Sequence, residues 1–230
     1  MEDQFSRTRL LIGDDRMERL RHSMVTVVGC GAVGSVAVEA LARTGVGQLN
    51  VIDFDTVSAS NINRQLIALH STIGRRKTDV IRERILDICP TTMVQTKNIF
   101  VDKTTCEEAF TPRPDFVIDA MDSLTAKAQM IAYLKEQGIP FISSMGAALK
   151  RDPTKVRIDS MKKTTVCPMA AHLRKMLRRM NVELDFPCVY SVETAQEGRA
   201  DHRQMGSIMT ITGVFGLYLA NNAINTLLQR

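Results

Sequence analysis

Short runs of apolar, often β-branched residues alternate along this chain with stretches in which apolar residues recur every three or four positions. The first pattern is typical of buried strands and the second of amphipathic helices. Strands are predicted over residues 24–28, 48–53, 93–99, 116–119, 140–143 and 155–159. Helices are predicted over residues 35–43, 77–88 and 123–137, each followed by a glycine or proline. This alternation predicts an α/β fold with a doubly wound, Rossmann-like, mostly parallel sheet, helices on both faces and a C-terminal α/β extension.

The two ends of the chain carry weaker patterns. Residues 1–23 are predicted to form an N-terminal arm or a short helix. Near the other end, an apolar run over residues 208–220 includes Thr210 and Thr212 and stops at Asn221. This run is shorter than the roughly 20 residues that cross a bilayer. We therefore expect a buried core helix within residues 206–230 and no membrane insertion.

The composition is that of an ordinary globular domain. The 230 residues are 44% apolar and 24% charged, which argues against a disordered, collagen-like or coiled-coil chain. The net charge of +5 permits a nucleic-acid partner without requiring one. Five cysteines without a C-x-x-C pair indicate neither a disulfide framework nor a four-thiolate zinc site. Because the N-terminus also lacks a signal-peptide pattern, we expect a reduced, cytoplasmic protein.

Positive charge is concentrated in residues 150–180, where ten basic residues stand against two acidic ones. Apolar residues at helical spacing form one face of this segment, and Lys175, Arg178 and Arg179 fall on the other faces. These three residues are candidate contacts to nucleic-acid phosphates, and a solvated surface helix is the alternative. Residues 197–204 are polar and contain glycine, which is typical of a mobile lid or a surface loop.

A predicted strand, a glycine-rich turn and a predicted helix follow one another at residues 24–43. The turn reads Gly29-x-Gly31-x-x-Gly34, in which the glycines permit a tight turn, close approach to a phosphate and close helix packing. Asp53 ends the next strand, where a carboxylate can hold ribose hydroxyls. The pattern favours a nucleotide site over a structural turn, but it does not distinguish NAD from ATP.

Three charged residues downstream of the turn bear on that choice. Arg64 and Lys77 can supply the fixed positive charge that attack at an α-phosphate needs, whereas hydride transfer needs none beyond the pyrophosphate. On spacing alone, a surface arginine and an ordinary lysine at a helix start are equally good interpretations. Asp122 follows a predicted strand at the sheet edge where ligands bind, so it is a candidate metal ligand. The alternative is a cap for the next helix, from Asp122 or Ser123.

Several motifs occur together in a fixed order. They are the glycine turn, Asp-Phe-Asp at 53–55, Ser-Asn-Ile-Asn-Arg-Gln at 60–65, Gly-x-x-Lys at 74–77 and Asp-Ala-Met-Asp-Ser at 119–123. In this order they resemble the ThiF- and MoeB-like adenylating superfamily of ubiquitin-activating-type enzymes. Longer stretches at 40–47, 142–147, 152–154, 163–170 and 189–191 are similar to its branch of tRNA threonylcarbamoyladenosine dehydratases. The resemblance runs over nearly the whole chain.

This resemblance implies an ATP site. Its expected residues are Gly29, Gly31, Gly34, Asp53, Asp55, Asn61, Arg64, Gln65 and Lys77. Within this set the glycines would surround the phosphates and Asp53 would hold the ribose. Asn61, Arg64 and Lys77 would contact the triphosphate.

The resemblance further implies a metal ion, a dimer and a reaction. Asp122 would bind Mg²⁺, and Arg9 would reach the ATP of the partner subunit in a homodimer. The expected catalytic residues are Arg9, Arg64, Lys77 and Asp122. The implied reaction is ATP-dependent cyclisation of threonylcarbamoyladenosine at position 37 of tRNA, through adenylation of the threonyl carboxylate.

Three other functions stay open at this point, of which a non-catalytic nucleotide-sensing or scaffold module is the least favoured, because the phosphate-contacting set is intact. The first is adenylation of the C-terminal glycine of a ubiquitin-like sulfur carrier, although such enzymes usually carry zinc-binding C-x-x-C pairs that this chain lacks. The second is an NAD-dependent oxidoreductase, which would share the glycine turn and Asp53 but leave Arg64 and Lys77 without a role.

Partners and organisation complete the expectations. tRNA is the expected substrate, and a cysteine desulfurase sulfur-relay system is a further expected partner. Cys188 is the remaining thiol candidate, for which burial as a small hydrophobe is the preferred interpretation. We expect a single adenylating domain, divided into an arm (1–23), a nucleotide-binding core (24–148), a basic substrate-binding segment (149–205) and a C-terminal core helix (206–230).

Overall fold

Seven strands form one sheet in this computed structural model, which describes residues 3–194 and 205–229. The strands are β1 (Met24–Val28), β2 (Gln48–Ile52), β3 (Met93–Lys97), β4 (Phe116–Asp119), β5 (Phe141–Ser144), β6 (Val156–Ser160) and β7 (Pro187–Ser191). The helices are α1 (Ser6–Ile12), α2 (Asp14–His22), α3 (Gly34–Thr44), α4 (Lys77–Ile88), α5 (Cys106–Ala109), α6 (Leu124–Glu136), α7 (Pro168–Arg179) and α8 (Met209–Leu228). The lid or surface loop expected at 197–204 lies outside the described residues.

The strand order is β3-β2-β1-β4-β5-β7-β6. All neighbouring strands pair in parallel except β6, which pairs antiparallel with β7 at one edge. The predicted doubly wound, mostly parallel sheet is therefore confirmed. Strand β7 is not among the sequence predictions, because its five residues, Pro-Cys-Val-Tyr-Ser, show no apolar–polar alternation.

Alternate residues of the central strands face opposite sides of the sheet. In β4, Phe116 and Ile118 pack into a cluster with residues of α3, α4 and α8. Val117, between them, packs into a second cluster with residues of α6 and α7. Helices therefore cover both faces of the sheet, and its carboxyl-terminal edge is left for the loops.

The helix ends follow local chemistry. Gly45 ends α3 in the left-handed conformation, with φ of 94°, which glycine adopts without strain. Pro168 occupies the first turn of α7, where its missing N–H costs no hydrogen bond. The C-terminal helix α8 buries Phe215 and Leu219 against the first cluster, as expected for a core helix. No helix within the described ranges is both long enough and apolar enough to cross a membrane.

Candidate active site

The chain changes direction across the sheet between β1 and β4. Strands β2 and β3 continue on one side of β1, while β5, β7 and β6 continue on the other side of β4. Val28 and Asp119 pair at the carboxyl ends of these two strands. Such a switch point is where open α/β sheets bind ligands. A cavity of about 750 Å³ opens there, lined by the loops that follow both strands.

The glycine turn forms one wall of this cavity. Gly29 has φ of 90°, and a Cβ atom there would lie 2.8 Å from the Ala120 carbonyl oxygen. A Cβ atom on Gly34 would lie 1.7 Å from the Gly29 carbonyl oxygen, so this residue shapes the turn without lining the cavity. A Cβ atom on Gly31 would have the Gln65 amide nitrogen as its nearest neighbour, at 3.8 Å. The fold therefore requires glycine at 29 and 34, whereas position 31 leaves room for a ligand.

Asp53 ties the turn to the end of β2. Its Oδ2 accepts a hydrogen bond from the Cys30 backbone N–H at 2.6 Å, and its Oδ1 accepts one from the Asp55 backbone N–H at 2.8 Å. The side chain lines the cavity and is largely buried. A carboxylate oxygen has more than one acceptor site, so these bonds leave Asp53 able to accept from a ribose hydroxyl.

Two cations line the cavity beside the turn. Lys77 begins α4, and its Nζ lies 2.7 Å from Asp55 Oδ2. The Lys77 side chain is 6% exposed, so its ammonium group is largely shielded from bulk solvent. Arg64 donates to the Ser60 carbonyl and to Asn63 Oδ1, both at 2.8 Å. These bonds hold both cations in place before any ligand is bound.

Asn61 and Gln65 bring amide groups to the same wall. Asn61 Oδ1 accepts from the Ser58 backbone N–H at 3.1 Å and so fixes the short 3₁₀ turn that carries it. Gln65 Oε1 is buried and has no hydrogen-bond partner among residues 3–194 and 205–229. A buried amide oxygen without a donor is rare in native proteins, and it fits a site whose donor arrives with the ligand.

Asp122 lines the cavity from the loop after β4. It is exposed, and Ser123, at the N-cap of α6, makes no side-chain capping bond. Asp122 also makes no hydrogen bond or ion pair within the described part of the chain. Neither side chain therefore caps α6, and the Asp122 carboxylate is available to a ligand.

One carboxylate fits a particular kind of metal site. Residues 3–194 and 205–229 contain no group of three or more His, Cys, Asp or Glu side chains that could hold a metal ion by themselves. Mg²⁺ is typically bound by one or two carboxylates together with substrate phosphates. Asp122, on the loop packed against the glycine turn, supplies one carboxylate of that kind.

Comparison with known proteins decides the family. The model of the ThiF family matches residues 5–230, which is nearly the entire chain. The chain belongs to the ThiF family. Among curated relatives, the tRNA threonylcarbamoyladenosine dehydratase of Bacillus subtilis is 42% identical over 204 residues, covering 89% of this chain and 80% of the relative. The protein of the same name from Haemophilus influenzae is 35% identical and covers 100% and 95%.

Solved structures give the same picture. The crystal structure of the E. coli tRNA N6-threonylcarbamoyladenosine dehydratase in complex with ATP superposes on this ThiF-family chain with a TM-score of 0.93. The two are 33% identical, and the match covers 98% of this chain and 94% of that one. The molybdopterin-synthase adenylyltransferase of E. coli is 33% identical over only 60% of this chain and 54% of its own length.

Besides Gly34, four of the expected site residues do not line the cavity of this ThiF-family chain. Arg9, on α1, has its guanidinium 2.5 Å from Asp3 Oδ2 and does not line the cavity. The others are Lys175, Arg178 and Arg179, which are exposed on α7. No ion pair neutralises these three within the residues the structure describes. The surrounding basic segment is not uniformly exposed, because Lys150 is buried and donates to the Glu193 carbonyl.

All five cysteines are buried. Burial, and to a smaller extent the neighbouring Cys167, raises the pKa of Cys188 to about 12. Burial, with Asp53 nearby, also raises the pKa of Cys30 well above its usual value. A thiol needs exposure and a lowered pKa to react, so Cys188 is a small core residue, as preferred from the sequence.

The structure also brings out residues that the sequence predictions miss. Lys127, on α6, is fully buried and pairs with Asp119 at the end of β4. Its signal is present in the sequence, because it shares the helical spacing of the buried residues Met130, Ile131 and Leu134. Phe54 and Phe100 line the cavity with their ring centroids 5.1 Å apart.

Proposed function

We propose that this chain adenylates the threonyl carboxylate of threonylcarbamoyladenosine at position 37 of tRNA and thereby drives its cyclisation. One observation carries the proposal: a single cavity at the switch point collects the glycine turn, Arg64, Lys77 and Asp122. The full-length similarity to tRNA threonylcarbamoyladenosine dehydratases, one of them bound to ATP, supports the choice of nucleotide and substrate.

The first step is attack of a carboxylate oxygen on the α-phosphorus of ATP, with pyrophosphate leaving. Negative charge then spreads over the phosphate oxygens, and groups fixed beforehand stabilise it most effectively. Arg64 and Lys77 are such groups, because each is held by hydrogen bonds or an ion pair on the cavity wall. The glycine turn lets backbone N–H groups approach the phosphates, while Asp53 orients the ribose.

Asp122 is the proposed holder of Mg²⁺. When bound, the ion would neutralise charge on the phosphates of ATP. The chain's own contribution is to present at the cavity one carboxylate that has no partner among the described residues, on a loop packed against the glycine turn.

The second step needs no nucleophile from the protein. The neighbouring carbamoyl group attacks the activated carbonyl and gives up one N–H proton to solvent. AMP leaves and carries with it the carboxylate oxygen that is lost overall as water. A carbamoyl group held near the acyl adenylate gains an effective molarity of about 10⁵ M or more. The burial of all five thiols fits a reaction without a covalent enzyme intermediate.

We further propose that tRNA contacts α7. Lys175, Arg178 and Arg179 are exposed, and Met169, at the first turn of the same helix, lines the cavity. A phosphate backbone that follows α7 would therefore lead toward the reaction centre. Neutralisation of phosphates by such side chains is the main source of affinity in protein–nucleic acid complexes.

A homodimer is proposed for two reasons. Arg9 lies outside the cavity of its own subunit. The same helix exposes Leu10 and Leu11 by 87% and 84%, and apolar side chains this exposed are well placed to be covered by a second copy.

The sulfur-relay partner stays a prediction. All five thiols are buried, so none of them is exposed to receive sulfur. The cytoplasmic location also stays a prediction.

The decisive experiment is mass spectrometry of the nucleosides of tRNA that carries threonylcarbamoyladenosine. Incubation with the protein and ATP should convert it to the cyclic nucleoside, lighter by one water, with AMP formed in equal amount. AMP release that depends on a ubiquitin-like sulfur carrier, without any change in tRNA, would favour the rival adenylation. A change in absorbance with NAD and no pyrophosphate release would indicate an oxidoreductase.

A further inference from the structure

Beneath the cavity lies an ion pair that solvent does not reach. Lys127 Nζ is 2.7 Å from Asp119 Oδ2, and both side chains are 0% exposed. The Ser143 hydroxyl donates to the same carboxylate oxygen at 2.5 Å. The pair thus joins β4, α6 and β5. Because apolar residues of similar volume avoid the desolvation cost of two buried charges, stability alone is a weak reason for such a pair.

The second oxygen of Asp119 is bonded to the loop that carries Asp122. Asp119 Oδ1 accepts a hydrogen bond from the Met121 backbone N–H at 3.1 Å. A bond from an aspartate side chain to the N–H two residues later forms an Asx turn, which sets the direction of the following backbone. The next residue is Asp122, which lines the cavity.

The same loop is in contact with the glycine turn. The Ala120 carbonyl oxygen lies within 2.8 Å of where a Cβ atom on Gly29 would be, so these backbones are as close as glycine allows. The Ala120 N–H donates to the Val28 carbonyl at 2.9 Å. Any change in the direction of the loop after Asp119 would therefore move the glycine turn as well as Asp122.

We propose that Asp119, held by Lys127, is a positioning residue that orients Asp122 and the glycine turn through its bond to the Met121 N–H. Lys127 fixes one carboxylate oxygen and cancels its charge, so that the other oxygen remains aimed at the loop. The effect of this orientation on magnesium and ATP rests on the proposed function. The orientation itself is a property of the ligand-free chain.

Two double variants separate this role from a structural one. Asp119→Asn with Lys127→Met removes both charges but keeps an oxygen that accepts from Met121. Asp119→Leu with Lys127→Met removes both charges and the acceptor. Neither variant leaves an unpaired buried charge, which would destabilise the fold whatever the role of the pair. Thermal melting establishes that both are folded.

The first measurement is hydrogen exchange at the Met121 amide in the ligand-free protein. Exchange should be at least about ten-fold faster in the variant with Asp119→Leu than in the variant with Asp119→Asn, since only the latter keeps the bond. The second is the Mg²⁺ concentration for half-maximal pyrophosphate release. This Mg²⁺ concentration should rise by about 10- to 100-fold in the variant with Asp119→Leu, as it does when other residues that orient metal ligands are replaced. In the variant with Asp119→Asn it should stay close to the original value.

Equal exchange at Met121 and equal magnesium dependence in the two folded variants would overturn the proposal. The double variant with Asp119→Leu could fail to fold, and a second one, Asp119→Val with Lys127→Met, then replaces it. If neither of these folds while the variant with Asp119→Asn does, Asp119 serves folding and the proposal is likewise overturned. Should the chain lack the proposed activity, the exchange measurement still decides whether Asp119 orients the loop.

Discussion

Lys77 combines three properties at one residue. It begins α4, its side chain is 6% exposed, and its ammonium group is bonded to Asp55 on the cavity wall. Burial of a lysine is unusual unless its charge is paired or used. Arg64 lines the same cavity and is likewise held by hydrogen bonds, to the Ser60 carbonyl and the Asn63 side chain of its own loop. Lys77 is therefore not an exposed lysine at a helix start, whereas Arg64 is partly exposed and lines the cavity.

Replacing Lys77 or Arg64 with alanine should lower the rate of AMP formation by about 10²-fold or more, as loss of a charge that stabilises a transition state does. The measurement is pyrophosphate release with modified tRNA and ATP. Arg76→Ala is a matched control, because Arg76 is exposed next to Lys77 and does not line the cavity. Near-normal rates in both site variants would contradict the assignment.

Asp122 permits a second test at this scale. Asp122→Asn removes the charge that Mg²⁺ prefers while keeping the shape of the side chain, and should lower pyrophosphate release by about 10²-fold. Because Asp122 makes no capping bond within the described structure, Asp122→Ala should be as inactive and should melt at nearly the same temperature. Full activity of the asparagine variant, combined with unfolding of the alanine variant, would restore the capping interpretation.

Helix α7 is the element in which charge and packing are most clearly divided. Ala170, Leu173 and Leu177 are buried on one side, while basic residues cover the exposed side. Arg174 is the exception among these basic residues. Its guanidinium donates to the Thr164 carbonyl at 2.9 Å and so connects α7 to the segment that precedes it. The basic residues of α7 therefore have two roles: most of them form an exposed charged face, whereas Arg174 makes a structural hydrogen bond.

Changing Lys175, Arg178 and Arg179 together to glutamine should weaken tRNA binding and reduce the log–log salt slope by about 2 to 3 units, because each phosphate contact contributes close to one. ATP binding should be unaffected. The control changes the charge equally: it is the triple glutamine variant of Arg16, Arg82 and Lys103, all of which are exposed and lie outside α7. If both triple variants keep the original slope and affinity, α7 is not part of the tRNA surface.

For the whole molecule, position relative to the cavity is the deciding property. The switch point between β1 and β4 gathers residues from several separate loops, whereas Arg9 is paired with Asp3 and Asp14 in the N-terminal segment. If Arg9 acts on ATP, it does so in a second subunit. Two-fold symmetry would then give each dimer two sites, each completed by the other chain.

Co-expression of Arg9→Ala and Lys77→Ala chains tests this arrangement. Each variant alone should be inactive. Random pairing should restore about a quarter of the activity, because half of the dimers are mixed and each has one complete site. Absence of recovery, in dimers shown to be mixed by two different affinity tags, would place Arg9 in its own subunit or outside catalysis.

The sequence by itself determined the features that depend on neighbouring residues. The strand, glycine turn and helix at residues 24–43 were predicted with their order and nearly their bounds, because glycine stereochemistry and side-chain period act over a few positions. The mostly parallel sheet followed from the alternation of elements, and the motif series gave the family that the comparisons confirm.

Only the tertiary structure decided which distant residues meet. The sequence marks Lys127 as a residue in an apolar stripe, but its partner Asp119 is found only when α6 packs on β4 and β5. Likewise, β7 inserts between β5 and β6 through pairings that no local pattern encodes. Local periods specify which face of an element is apolar, whereas the choice of partner depends on the sum of many weak contacts across the whole core.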